Sequence, residues 1–286
     1  MDAEFGQALS GALARGALTA LLVGALLVAA RQFGRRAAGL LTGLPTVTGP
    51  AMLWLAIDRG EAYAAAAAVS AVAAAVACAV FALGYGLASR RHRPAAALTI
   101  AVLASLLPLP VLALPQWSIV PWLLVASLVC LACQGALGAL IGAAPEGACP
   151  PRREAAAPGV PERRGWLTAA GVSGLVSALA ALLAGEVGPF WTGVLISPPL
   201  LAAAAAVELH RRPAGAEDAL GFLHGYVAGL LARGVFLAAF GALLLPAGAA
   251  AAFGTALALT VLAGSLSGVG AAIQPPRWAA RARRIA

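Results

Sequence analysis

Gly39-Leu40-Leu41-Thr42-Gly43-Leu44-Pro45 and, 154 residues later, Gly193-Val194-Leu195-Ile196-Ser197-Pro198-Pro199 place glycine and proline inside apolar stretches, where a helix should run uninterrupted. The shared register extends outward from both. Gly34 matches Gly188, and after a one-residue insertion Gly60 matches Gly215, Val80-Phe81 matches Val235-Phe236 and Gly86 matches Gly241. A match of that length predicts a duplicated unit of about 155 residues.

Composition places the chain in a membrane: 62% of its 286 residues are hydrophobic and 10% charged, with a mean hydropathy of +0.91. Apolar runs between polar punctuation predict an all-α polytopic protein with nine spans, at 12–31, 37–57, 62–88, 95–114, 118–142, 166–187, 190–208, 217–244 and 247–273. Pro108, Pro110 and Pro115 bend or shorten the fourth. The acidic start, Met1-Asp2-Ala3-Glu4, lacks the basic head of a cleaved leader, so the first span is expected to be retained.

All 19 basic residues are arginine. Without lysine the chain carries no P-loop or Schiff-base chemistry. The net charge of +8 sits in short clusters between apolar spans, which reads as a topology signal and not as a nucleic-acid surface. Arg31, Arg35 and Arg36, then Arg90, Arg91 and Arg93, then Arg152, Arg153, Arg163 and Arg164, then Arg211 and Arg212, and finally Arg277, Arg281, Arg283 and Arg284 all follow odd-numbered spans. Cytoplasmic loops carry such an excess, so the N-terminus is expected outside and the C-terminus inside a bacterial inner membrane.

A unit of five spans forces its successor to insert upside down, so the two copies are expected to be related by a pseudo-two-fold axis in the membrane plane. The second copy runs out at Ala286, before a partner for the fifth span. The expected organisation is a first repeat of five spans at 1–145, a cytoplasmic linker at 146–165 rich in Pro, Ala, Arg and Glu, and a second repeat of four spans at 166–286. The alanine runs 64–68 and 202–206 let helices approach closely in lipid.

Candidate ligand-facing residues cluster at the interruptions. In the first half they are Thr42, Gly43, Pro45, Thr46, Thr48, Gly49 and Pro50; in the second they are Thr192, Gly193, Ser197, Pro198 and Pro199. Prolines remove backbone donors and free carbonyls, and threonine and serine hydroxyls either satisfy those carbonyls or face a ligand. His224 and Arg233 lie well inside the eighth span and are expensive against lipid, so they are expected to point into protein or a water-filled cavity. Their separation of nine residues puts them on nearly opposite helix faces. Glu186, Glu208, His210, Glu217 and Asp218 sit at span ends and read as interfacial or capping groups.

Enzymatic readings are weaker. Cys130 and Cys133 form a C-x-x-C inside an apolar segment and read as small buried hydrophobes, with no metal site expected. Asp58 has no partner aspartate four residues away, which disfavours metal-dependent prenyl transfer. Gly171-Val172-Ser173-Gly174 with the later His224 resembles the G-x-S-G serine and helix-borne histidine of rhomboid intramembrane proteases, although no His-x-x-x-Asn precedes it.

Gly43-Leu44-Pro45-x-x-x-Gly49-Pro50, with Gly188-Pro189-x-x-x-Gly193-x-Leu195 and His210 in the second half, resembles a group of uncharacterised multi-pass bacterial membrane proteins. The inverted five-span plan is also similar to that of bile-acid and arsenite symporter-like carriers. The likenesses bear on architecture alone; the duplicated Gly/Pro interruptions and the arginine alternation predict a secondary transporter-like protein of the inner membrane, its midplane site between the broken second and seventh spans. It is expected to bind an unknown small molecule, with possible ion coupling, and to have no cofactor, no catalytic residues and no nucleic-acid partner. The prevalence of Thr and Ser leans toward a neutral or amphipathic ligand. A non-transporting scaffold or accessory subunit, docking by its small-residue faces, is the alternative from a different class.

Overall fold

A computed structural model describes residues 48–114, 117–142, 186–212 and 215–266. It also describes Ser10, Gly11, Leu13, Ala14, Gly16, Ala17, Leu18, Ala20, Leu21, Thr42, Leu44, Pro45, Gly171, Gly174, Leu175 and Ala178. Among them there is no strand. The helices are α1 (Thr48–Arg59), α2 (Glu61–Ser89), α3 (Pro94–Leu106), α4 (Leu109–Ala113) and α5 (Ile119–Gly142), then α6 (186–195), α7 (Leu200–His210), α8 (Gly215–Ala247) and α9 (Ala249–Leu266).

Five stretches are long and apolar enough to cross a membrane: α2, α3 with α4, α5, α6 with α7, and α8. The expected third, fourth, fifth, seventh and eighth spans fall on them. The second span is represented by α1 and the ninth by the shorter α9. The first and sixth spans lie mostly outside the described residues, as do the linker 146–165 and the C-terminal arginine cluster.

Alanine decides which helix is central. Of the most apolar window of α2, 78% is buried, against 56% for α8 and 22% for α5. Ala64, Ala67, Ala68 and Ala71 are fully enclosed. In lipid, helices gain little from hiding apolar area, so close van der Waals approach sets the packing, and a helix with short side chains lets neighbours come nearest. The first of those neighbours is α8, which runs antiparallel: Gly86 of α2 meets Leu220, while Gly241 meets Ala68 and Ala65. A Cβ built on Gly241 would lie 3.0 Å from the Ala68 methyl and 2.9 Å from Ile119 Cδ1, so both α2 and α5 press on that glycine.

The core divides at the middle of this crossing. One cluster joins the first half of α2 to Phe236, Phe240 and Leu244 of α8, with Met52 and Leu55 of α1 and Ala252 and Ala256 of α9. The other joins Phe81 and Tyr85 of α2 to Leu220–Leu230 of α8, with Ala97 and Ala101 of α3 and Ala202 and Ala206 of α7. Helix α5 serves both, through Trp122 and Ala126 in the first and Cys130, Cys133 and Leu137 in the second. Its other face carries the exposed Val120, Leu124, Leu128 and Leu131 at helical spacing, the outward apolar face that lipid contact requires.

Turn chemistry fixes the ends. Leu107-Pro108 interrupts the fourth span, because proline cannot continue the hydrogen-bond ladder, and α4 restarts just after it. Gly60 (φ 88°) and Gly248 (φ 79°) take left-handed angles that side chains resist, allowing tight α1–α2 and α8–α9 turns. These turns are joined: the Ala249 N–H at the start of α9 donates to Glu61 Oε1 at 3.1 Å.

Overpacking of α2 is therefore expected to be position-specific. Ala68→Leu drives a side chain into Gly241 and is expected to cost about 1–3 kcal/mol, lowering the unfolding temperature of the detergent-solubilised protein. Ala66→Leu, on the exposed face of the same turn, is expected to leave that temperature unchanged.

Candidate functional site

The second-half interruption is fully described. Helix α6 ends at Leu195, Ile196 turns, Ser197 to Pro199 are non-helical, and α7 begins at Leu200. Pro198 and Pro199 lack N–H groups and push the residues before them out of the α region, so the ladder stops. Local partners recover part of the loss. The Ser197 hydroxyl donates to the Gly193 carbonyl at 2.8 Å and the Thr192 hydroxyl to the Gly188 carbonyl at 2.8 Å. Tyr63 of α2 adds a hydroxyl–hydroxyl bond to Thr192 at 2.9 Å. Both expected ligand-facing hydroxyls thus hydrogen-bond within their own segment and are buried.

Gly193 lets this segment lie against α2. A Cβ there would collide with the Ala67 carbonyl oxygen and Ser70 Oγ, and would come 3.0 Å from the Ala71 nitrogen, so α6 touches α2 backbone to backbone. Ser70 Oγ donates to the Ala67 carbonyl of its own turn and reaches the Pro189 carbonyl at 3.3 Å. Further along, the Cys78 thiol donates to the Ser197 carbonyl at 3.1 Å, an oxygen at the break that is satisfied from α2.

In the first half, Leu44 and Pro45 are non-helical and α1 resumes at Thr48, with the Gly49 N–H donating to the Pro45 carbonyl at 2.8 Å. Gly43 and Thr46 lie outside the described residues. Pro45 and Gly49 are buried, whereas Thr42 and Pro50 are half-buried. Thr48 Oγ1 is enclosed without a hydrogen-bond partner. Gly49 packs on the Phe236 ring of α8, with 3.4 Å from a built Cβ to Phe236 Cζ. The interruptions touch both crossing helices: α6 lies against α2 and α7 packs chiefly on α8, while α1 packs chiefly on α2 and reaches Phe236 of α8 through Gly49.

Arg233 stands between them. It is 6% exposed, and its Nη2 donates to Cys78 Sγ at 3.5 Å. Tyr226, two turns earlier on α8, and Cys130 of α5 lie within electrostatic reach of the guanidinium. No carboxylate among the described residues pairs with it, and its Nε has no hydrogen-bond partner. Cys78 thus links a buried cation on α8 to the freed Ser197 carbonyl. The register that pairs Val80 with Val235 also pairs Cys78 with Arg233, an equivalence hidden by the unlike side chains.

His224 lies elsewhere. Its Nε2 is 3.7 Å from a Cβ built on Gly138, so the ring abuts α5 while Arg233 faces α2. Ser173, the partner required by a serine-protease reading, lies outside the described residues. Pro198 is exposed and Pro199 half-buried. His210, expected as a solvated helix end, accepts or donates at Nδ1 to the Tyr85 hydroxyl at 3.2 Å, tying the C-terminal ends of α2 and α7. Besides Cys78, sequence reasoning missed Tyr63, Ser70, Tyr85 and Tyr226. Their polar atoms act in three-dimensional contacts that no local pattern announces.

Gly193→Ala is expected to force α6 away from α2 backbone, lowering the folded yield and the unfolding temperature by the equivalent of about 1–3 kcal/mol. Gly254→Ala in α9, where a Cβ meets nothing within 4 Å, is expected to be neutral or slightly stabilising in the same assay. Comparison of the chain with protein-family models, with curated proteins and with solved structures finds no match in any of the three.

Proposed function

We propose that this protein is a secondary transporter-like carrier of a small molecule, built from two inverted repeats whose site lies at the α2–α8 crossing, between the broken second and seventh spans. The observation that carries the reading is the Cys78–Arg233 contact. These two positions are equivalent under the 155-residue shift, and equivalent positions touch only near an axis that exchanges the copies. The wider packing supports the same exchange. The contact of Gly86 with Leu220 becomes, under the shift, that of Gly241 with Ala65. The stacked pair Phe236–Phe240 takes the place of the tilted pair Phe81–Tyr85.

The two core clusters exchange likewise, α1 with α7 and α9 with α3, while the unmatched α5 leans equally on α2 and α8. An antiparallel relation between equivalent helices is what an axis in the membrane plane requires. Helix interruptions in each copy, resting on the crossing pair, supply the non-helical backbone that carriers use around a midplane site. Alternating access follows if the copies rock about the crossing, exposing that region to one side and then to the other.

Single-cysteine labelling tests both orientation and mechanism, in a background with Cys78, Cys130, Cys133 and Cys149 replaced by alanine. An impermeant maleimide is expected to modify Ala62→Cys only from the outer face and His92→Cys only from the cytoplasmic face. Ile196→Cys, at the second interruption, is expected to react from both sides in right-side-out and inverted vesicles. Labelling of Ile196→Cys from one face only, or from neither, would replace alternating access with the scaffold reading.

A further inference from the structure

An arginine enclosed at membrane depth is costly, and the usual remedies are a carboxylate, a set of backbone carbonyls or a water-filled path. Here one donor meets a thiol, a weak acceptor, and Nε meets nothing. Nε and Nη2 share one edge of the planar guanidinium, the edge that matches two oxygens of a carboxylate or phosphoryl group. The groups within reach of the guanidinium are poor substitutes for a ligand. Tyr226, Cys78 and Cys130 bring no carboxylate to the guanidinium, and the Ser197 carbonyl already accepts from Cys78. Sequence composition leans toward a neutral ligand, whereas this orphaned cation asks for a negative one.

We propose that the Nε/Nη2 edge of Arg233 is the anchor of a small-oxyanion site, so that the molecule carried bears a carboxylate or phosphoryl group. The inference rests on the carrier reading and names its substrate class. Binding an oxyanion there neutralises the guanidinium, satisfies Nε, and competes with the Cys78 contact at Nη2. Because Cys78 also holds the Ser197 carbonyl, occupancy at Arg233 is transmitted to the α6–α7 break through a single side chain. The site lies where positions of the two copies meet, so a ligand held there touches both.

The test uses the full-length protein in neutral detergent, where binding is read without a second compartment. Unfolding temperature is followed with increasing acetate, inorganic phosphate or phosphatidylglycerol, each against chloride at equal ionic strength. A saturable rise with acetate or phosphate is expected, abolished in Arg233→Met and shifted to about tenfold higher concentration or more in Arg233→Lys, which keeps the charge but loses the paired donors. No rise in the wild type, a rise with the lipid alone, or a rise that persists in Arg233→Met overturns the proposal.

If Arg233→Met does not fold, the arginine-bearing protein with Cys130, Cys133 and Cys149 replaced by alanine gives an independent reading. The anion is expected to change the rate at which N-ethylmaleimide modifies Cys78 at least severalfold, and an unchanged rate counts against the site. Failure here with two-sided labelling of Ile196→Cys leaves a carrier for another ligand class. Anion binding with one-sided labelling leaves an anion-binding protein that does not alternate.

Discussion

The close approach of α2 and α8 is the constraint on which the other contacts depend. Both helices are apolar over most of their surface, so hydrophobicity alone does not choose which faces meet, and side-chain size does much of the choosing. Alanine along α2 and the glycines at 86 and 241 bring the axes near enough for van der Waals contact over the length of the crossing. Once that pair is set, α1 and α9 fill one end, α3 and α7 the other, and α5 closes the side that both helices leave open. Substitutions that enlarge this seam act on all of these contacts together.

Backbone satisfaction is the second organising demand. Inside a bilayer each broken turn must find partners within the protein, and the 196–199 break does so in two ways. Short-range hydroxyls close on the carbonyls four residues back, and α2 supplies Tyr63, Ser70 and Cys78 from across the interface. The prolines therefore do more than bend a helix. They oblige α6 and the 196–199 break to stay docked on α2, because separation strands the Pro189 and Ser197 carbonyl oxygens in hydrocarbon.

Much of the helical plan was legible in the sequence. Spans at 62–88, 118–142 and 217–244 lie within a few residues of α2, α5 and α8, since long uninterrupted apolar runs have few alternatives in a membrane. The interruption at 196–199 was legible for a different reason: two successive prolines leave the backbone no helical option. The roles of individual polar groups were not. Thr192 and Ser197 have the composition of a ligand site yet bond within their own turns. Cys78 goes unmarked in the sequence because a thiol with no sequence neighbours carries no signal until tertiary packing supplies Arg233 and the Ser197 carbonyl. Matching by identity at the 155-residue shift passes over Cys78 and Arg233, whose side chains are unlike.

The bond from Ala249 to Glu61 has a mechanical consequence. It fastens the turn before α2 to the turn after α8, at the same end of the crossing, by one carboxylate. The opposite end is fastened differently: Pro94, which opens α3, has no N–H to donate, and the Tyr85 hydroxyl meets His210 Nδ1 there, tying α2 to α7. One end is thus held by a carboxylate on a backbone N–H and the other by a phenol on an imidazole. The two ends therefore carry unlike fasteners, so loss of the Glu61 carboxylate loosens the α1–α2 and α8–α9 turns while leaving the α2–α7 tie in place.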